Sequence, residues 1–251
     1  YINDGVYNEY KNALIYVERT QSDNTVRAGI IGAVNLDEYD YNEGSTSKIR
    51  ATEKTVIERI PPRVDIRRNA VTELPHVLIL IDDAKKCIIE SLTNMASDGQ
   101  LECIYDYDLM LGGGHIKGYL IPSSMNDDIC QKVASLGQNS GGITLAVGDG
   151  NHSLATAKSC YEELKQQNPG LDLRNHPARY ALVELENIHD PSQQFEPIHR
   201  VVMKTDADKL MKDMESICEP GGYPVTWIMG ERRGVLELKR ALGELDVAVL
   251  Q

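Results

Sequence analysis

The sequence predicts an α+β protein with mixed sheets and flanking helices. Three observations carry that prediction. Short aliphatic runs of strand length crowd the first half of the chain. A compact strand, 143–147, then runs through Gly148-Asp149-Gly150-Asn151-His152 into a helix. In that helix Leu154, Ala157, Tyr161 and Leu164 recur at helical spacing, until Asn168-Pro169-Gly170 stops it.

In chain order, residues 13–17 form a short apolar run, and a second run over 28–36 pairs with it as a hairpin across Gln21-Ser22-Asp23-Asn24. Residues 37–47 are acidic, rich in Tyr and carry Gly44, which is loop chemistry. A helix is expected over 51–60, ended by Pro61-Pro62. Residues 77–81 read as a buried strand that turns at Asp82–Lys86 into a second strand at Cys87-Ile88-Ile89. A glycine loop at 111–114 leads to a strand ending near Ile121. A short helix at 127–136 and a flexible loop at 137–142 follow. Beyond the glycine turn, strands are expected at 180–185 and 198–203, and helices at 206–217 and 235–242. The strand-rich part suggests a lobe over 1–122 and an α/β lobe over 123–251, with no sharp boundary between them.

Composition narrows the function classes. Acids outnumber bases 38 to 26, for a net charge of −12. General nucleic-acid binding and attachment to anionic membranes both need a positive field, so neither is expected. The longest aliphatic run is 77–81, far short of the roughly 20 residues of a spanning helix. One Phe and one Trp leave the core to be built mainly from Ile, Leu, Val and Ala. Five scattered cysteines without a CxxC pair read as reduced thiols of a cytoplasmic protein. Disulfides, a zinc site, haem and flavin are therefore not expected. The chain opens on Tyr1, which suggests a fragment of a longer protein, truncated at both ends.

The glycine turn is the strongest local signal. Gly148 and Gly150 have no Cβ to keep a ligand from the backbone. The helix behind them directs free N–H groups and the positive end of its dipole at the turn, which suits an anion. Asp149 can hold Mg²⁺ or a substrate amine, and His152 can hydrogen-bond a phosphoryl oxygen or move a proton. The plainer reading is that Asp149 or Asn151 only caps the helix while the glycines make a tight turn.

Residues 143–158, ITLAVGDGNHSLATAK, resemble the DGHHR-type signature of the domain of unknown function 1015 family. GAVNLDEYDY at 32–41, IRATEKT at 49–55, GGGHIKG at 112–118 and PIHRV at 197–201 agree with it in order. The resemblance implies a ParB/sulfiredoxin-like nucleotide-binding core and kinship to free-serine kinases. Glu53 then matches the general base on the acceptor hydroxyl, and Asp149 and His152 match the signature acid and histidine. Phosphate contacts fall to Gly148, Gly150, Asn151 and Ser153, with Arg50, His199 and Arg200 as supporting cations. Mg²⁺ with ATP or ADP is the implied cofactor pair, with Asp149 as the metal's carboxylate. Two departures stand out: Asn151-His152-Ser153 replaces His-His-Arg, and Ala51-Thr52-Glu53 replaces Pro-His-Glu. The loss of the Arg removes a charge partner for phosphate.

Two functions from different classes follow. One is a small-molecule kinase that moves a phosphoryl group from a nucleotide to a hydroxylated, serine-like metabolite. The other is a ParB-like nucleotide-binding switch or slow NTPase, which needs no acceptor base. Sulfiredoxin-like chemistry needs a reactive thiol; Cys160, about two turns into the helix, reads as structural. Expected partners are a nucleotide and a small substrate, with a homo-oligomer compatible with the chain.

Overall fold

The computed structural model describes residues 3–42, 44–52, 55–72, 77–138, 142–193 and 199–239. The chain divides into two compact units, 1–194 and 195–251, so residue 122 lies inside the first. The first unit contains strands β1 (Ile15–Thr20), β2 (Val26–Asn35), β3 (Tyr39–Asp40), β4 (Ile49–Ala51), β5 (Leu78–Ile81), β6 (Glu102–Asp108), β7 (His115–Leu120), β8 (Leu145–Asp149) and β9 (Tyr180–Asn187). Its helices are α1 (Ile60–Arg67), α2 (Ile89–Ser97), α3 (Asn126–Leu136) and α4 (Asn151–Gln167). All nine strands join one sheet in the order β3-β4-β8-β5-β9-β2-β1-β7-β6. The β5–β9, β4–β8 and β3–β4 pairs are parallel and the rest antiparallel. This is the expected α+β class with a mixed sheet.

The expected first hairpin forms, with Tyr16 opposite Ile30. Asn24 takes a left-handed φ of 68° in its turn, and the Asp23 carboxylate accepts the Thr25 N–H at 2.9 Å. The core is mainly aliphatic, as composition requires: Ile30, Ile79, Val147 and Val183 pack with Leu92 of α2 and Leu154 of α4, and Tyr16, Tyr39 and Tyr161 are buried among them. A smaller cluster of Ile60, Val64 and Ala155 fastens α1 to α4. No helix among the described residues is long and apolar enough to cross a membrane.

Several local expectations fail for identifiable reasons. Pro61 and Pro62 open α1 rather than ending a helix over 51–60, because the first helical residues need no N–H partner. Ala51 belongs instead to β4, opposite Val147. Cys87 and Ile88 are not a return strand but lead into α2, their N–H groups held by the buried Asp83 carboxylate at 2.8 and 2.9 Å. Residues 199–203 are irregular, not a strand.

The second unit contains α5 (Ala207–Glu215), the one helix expected there that forms, with Asp206 accepting the Lys209 N–H as its cap. It also contains a hairpin of β10 (Cys218–Met229) and β11 (Arg232–Leu238). The expected helix over 235–242 is a strand over its first four residues, 235–238, and its last three lie outside the described residues. Gly230, with φ of 61°, makes the turn between the two strands.

Candidate functional site

β8 lies between β4 and β5, where Val147 is fully buried. Past it the chain surfaces: Gly148 and Asp149 are exposed. Gly150 takes φ 88° and ψ 22°, a left-handed conformation that turns the chain directly into α4. A Cβ on Gly150 would stand 3.1 Å from both Cα and Cγ2 of Val77, and one on Gly148 would stand 2.9 Å from Leu80 Cγ. Both glycines are therefore demanded by close packing against the β5 segment.

α4 has no side-chain cap at its N-terminus. Asp149 does not reach the helix; its Oδ1 accepts the Gly150 N–H at 2.7 Å. Asn151 does not cap it either, because its side-chain Oδ1 is buried and has no hydrogen-bond partner. Among the described residues no side chain is thus bonded to the first amides of this 17-residue helix. Nearby, Thr55 is buried with its Oγ1 unpartnered. The next residue, Val56, donates its backbone N–H to His152 Nε2 at 3.2 Å. Thr52 Oγ1 donates to the Val147 carbonyl at 2.5 Å.

The other sequence candidates distribute unevenly. Glu53 lies outside the described residues; Thr52 before it and Val56 after it are tied to β8 and α4 by the two bonds just given. Arg50 sits on β4 opposite Ala146, about 10 Å of strand before Asp149, and its Nε donates to the Ser47 carbonyl at 2.7 Å. His199 and Arg200 are exposed residues of the second unit. Cys160 is half-buried, and burial pushes its thiol up, away from the thiolate form that reacts. All five cysteines are free.

Sequence reasoning missed a charged cluster on the sheet face that Gly148 shares. Leu80, which packs on Gly148, is in register with Glu186 of β9. There Arg27 of β2 pairs with Glu184 at 3.0 Å and with Glu186 at 2.9 Å, and Gln193 also donates to Glu186. Glu186 is 1% exposed, and burial pushes its carboxyl up to about 7, with Arg27 opposing and Glu184 adding to the rise. The only sequence signal was alternation of acid and aliphatic in Glu184-Leu185-Glu186. The apolar cleft of about 640 Å³ between the sheet and α3 adjoins Leu145, the start of β8, at the opposite end from the turn.

Fold and site together define a mixed-sheet α+β protein with an uncapped helix N-terminus presented behind a glycine turn. A family model for DUF1015, described as a protein of unknown function, matches residues 1–247, and the chain belongs to that family. Comparison with curated proteins finds no match, and neither does comparison with solved structures.

Proposed function

We propose that the protein is a small-molecule kinase-like phosphotransferase whose nucleotide phosphates bind at the Gly148–Ser153 turn. The observation that carries this reading is the N-terminus of the long helix α4, without a side-chain cap and preceded by exposed Gly148 and Asp149 and the left-handed Gly150. Such an end attracts phosphate through free N–H groups and the helix dipole together. The orphaned Asn151 Oδ1 supports it, since a buried polar atom without a partner is rare unless a ligand or water completes it. The proposal takes the sheet and turn as a ParB/sulfiredoxin-like core, and the free thiols suit a reducing cytoplasm.

Among the described residues no group of three His, Cys, Asp or Glu side chains is placed to hold a metal. That fits Mg²⁺ carried on nucleotide phosphates, which commonly needs only one or two protein carboxylates; Asp149 is the one at the turn. Bound there, the ion would supply charge neutralisation. The turn residues Gly148, Gly150, Asn151 and Ser153 would orient the terminal phosphoryl group. An acceptor hydroxyl oxygen forms the new bond to phosphorus as the bond to the bridging oxygen breaks, and the hydroxyl proton passes to Glu53. Both the Glu53 role and a serine-like acceptor rest on the family resemblance.

A thermal-shift series with ATP, ADP and CTP in the presence of Mg²⁺ tests the site. A nucleotide at 100 times its Kd should add about 2.7 kcal/mol of stability. Asp149→Asn should weaken the shift, and product analysis with serine and other small hydroxylated metabolites then identifies the acceptor. Absence of a shift with all three nucleotides at millimolar concentration would overturn the reading.

A further inference from the structure

His152 makes a contact that a phosphate-facing signature histidine does not need. Its Nε2 accepts the Val56 backbone N–H across 96 residues of sequence. Thr52 Oγ1 meanwhile donates to the Val147 carbonyl, immediately before Gly148. Thr52 is therefore fastened to the strand, and Val56 to the helix, that form the turn. The backbone beneath the ring is helical, and Thr156 Oγ1 donates to the His152 carbonyl at 2.7 Å one turn on. We propose that His152 is a positioning residue: it latches the segment that carries residue 53 onto the N-terminus of α4.

The latch dictates a tautomer. A ring nitrogen that accepts a hydrogen bond carries no proton, so the latch requires the Nδ1–H tautomer of His152. A doubly protonated ring has only donors and cannot hold Val56. The consequence for phosphoryl transfer rests on the function proposed above: ordering the first turn of α4 around phosphate also orders the segment expected to supply the base. The latch is made by residues of this chain alone, so its test is independent of nucleotide binding.

Amide hydrogen exchange at Val56, followed by NMR on the nucleotide-free protein, reads it directly. His152→Ala should speed Val56 exchange about tenfold, the scale of losing one hydrogen bond in a locally opening segment. His152→Gln, whose side-chain oxygen can accept at a similar reach, should restore exchange to within about threefold of the native protein. The Arg59 amide, bonded to the Val56 carbonyl at 3.0 Å, reports whether the whole segment has moved. Nitrogen-15 NMR of the unmodified protein supplies a readout that needs no variant: the ring should be the Nδ1–H tautomer. Equal Val56 exchange in all three proteins, or an Nε2–H ring, would overturn the latch. A normal latch beside absent nucleotide shifts would instead overturn only the phosphotransferase reading.

Discussion

At Gly150 the backbone conformation and the packing make the same demand. Its φ of 88° disfavours any L side chain, and a Cβ there would meet the Val77 backbone at 3.1 Å. Gly150→Ala should therefore destabilise the protein by about 1–3 kcal/mol, lowering Tm by several degrees. Gly170→Ala is the matched control: no atom lies within 4 Å of its Cβ position, and its φ is not in the left-handed range. It should stay within about 0.5 kcal/mol of the native protein. Equal melting of the two variants would show that the turn tolerates a side chain. The glycine turn was legible in the sequence because its signals are local, a strand run, two glycines and a helical period. The partners of the site were not. Val56 meets His152 over 96 residues, and Arg27 meets Glu184 over 157, and no local pattern encodes either pairing. That Asp149 and Asn151 leave the helix uncapped was equally invisible, since both residue types are favoured caps.

Between β2 and β9 one guanidinium serves two carboxylates, and that shapes the pH dependence of the sheet. Glu186 titrates near 4.5 when free and at about 7 in the fold. The folded state thus binds the proton more tightly, and the stabilisation it gives is full below the free value. It is lost as pH rises through about 7. Glu186→Gln keeps an acceptor for Gln193 and leaves Arg27 its bond to Glu184. The variant should flatten the stability profile between pH 4.5 and 7 and gain on the order of 1–3 kcal/mol over the native protein at pH 8. Chemical denaturation at several pH values checks this, and an unchanged slope would mean that Glu186 is ionised throughout. Legibility at this scale followed chemistry that could be read in two ways. Pro61-Pro62 ends a helix if it comes last and opens one if it comes first, and tertiary packing of Ile60 and Val64 on Ala155 decides for α1. β10 is not legible in the sequence because Pro220, Gly221, Gly222 and Pro224 interrupt it, which an edge strand with a register shift tolerates. β11 overlaps the helix expected over 235–242, although Gly234, Leu236 and Leu238 alternate inward with exposed Val235 and Glu237.

The two compact units differ in how much holds each of them together. In the first, strands β2, β5 and β9 are paired on both sides, and their Ile30, Ile79, Ile81 and Val183 are at most 3% exposed. In the second, β10 and β11 form a sheet of their own, and Leu238 is the only fully buried residue among those described. An isolated hairpin is marginal in water, and α5 adds no buried side chain to it. Native-state hydrogen exchange should therefore separate the units. Amides in the middle of β2, β5 and β9 should exchange only through global unfolding, and those of β10–β11 through local opening. The separation should be at least about a hundredfold, equivalent to some 2.7 kcal/mol. Added denaturant should accelerate the first set steeply and the second hardly at all, because only global unfolding exposes a large surface. Equal protection and equal denaturant slopes in both sets would make the 251 residues one cooperative structure, with the hairpin drawing its stability from beyond its own strands.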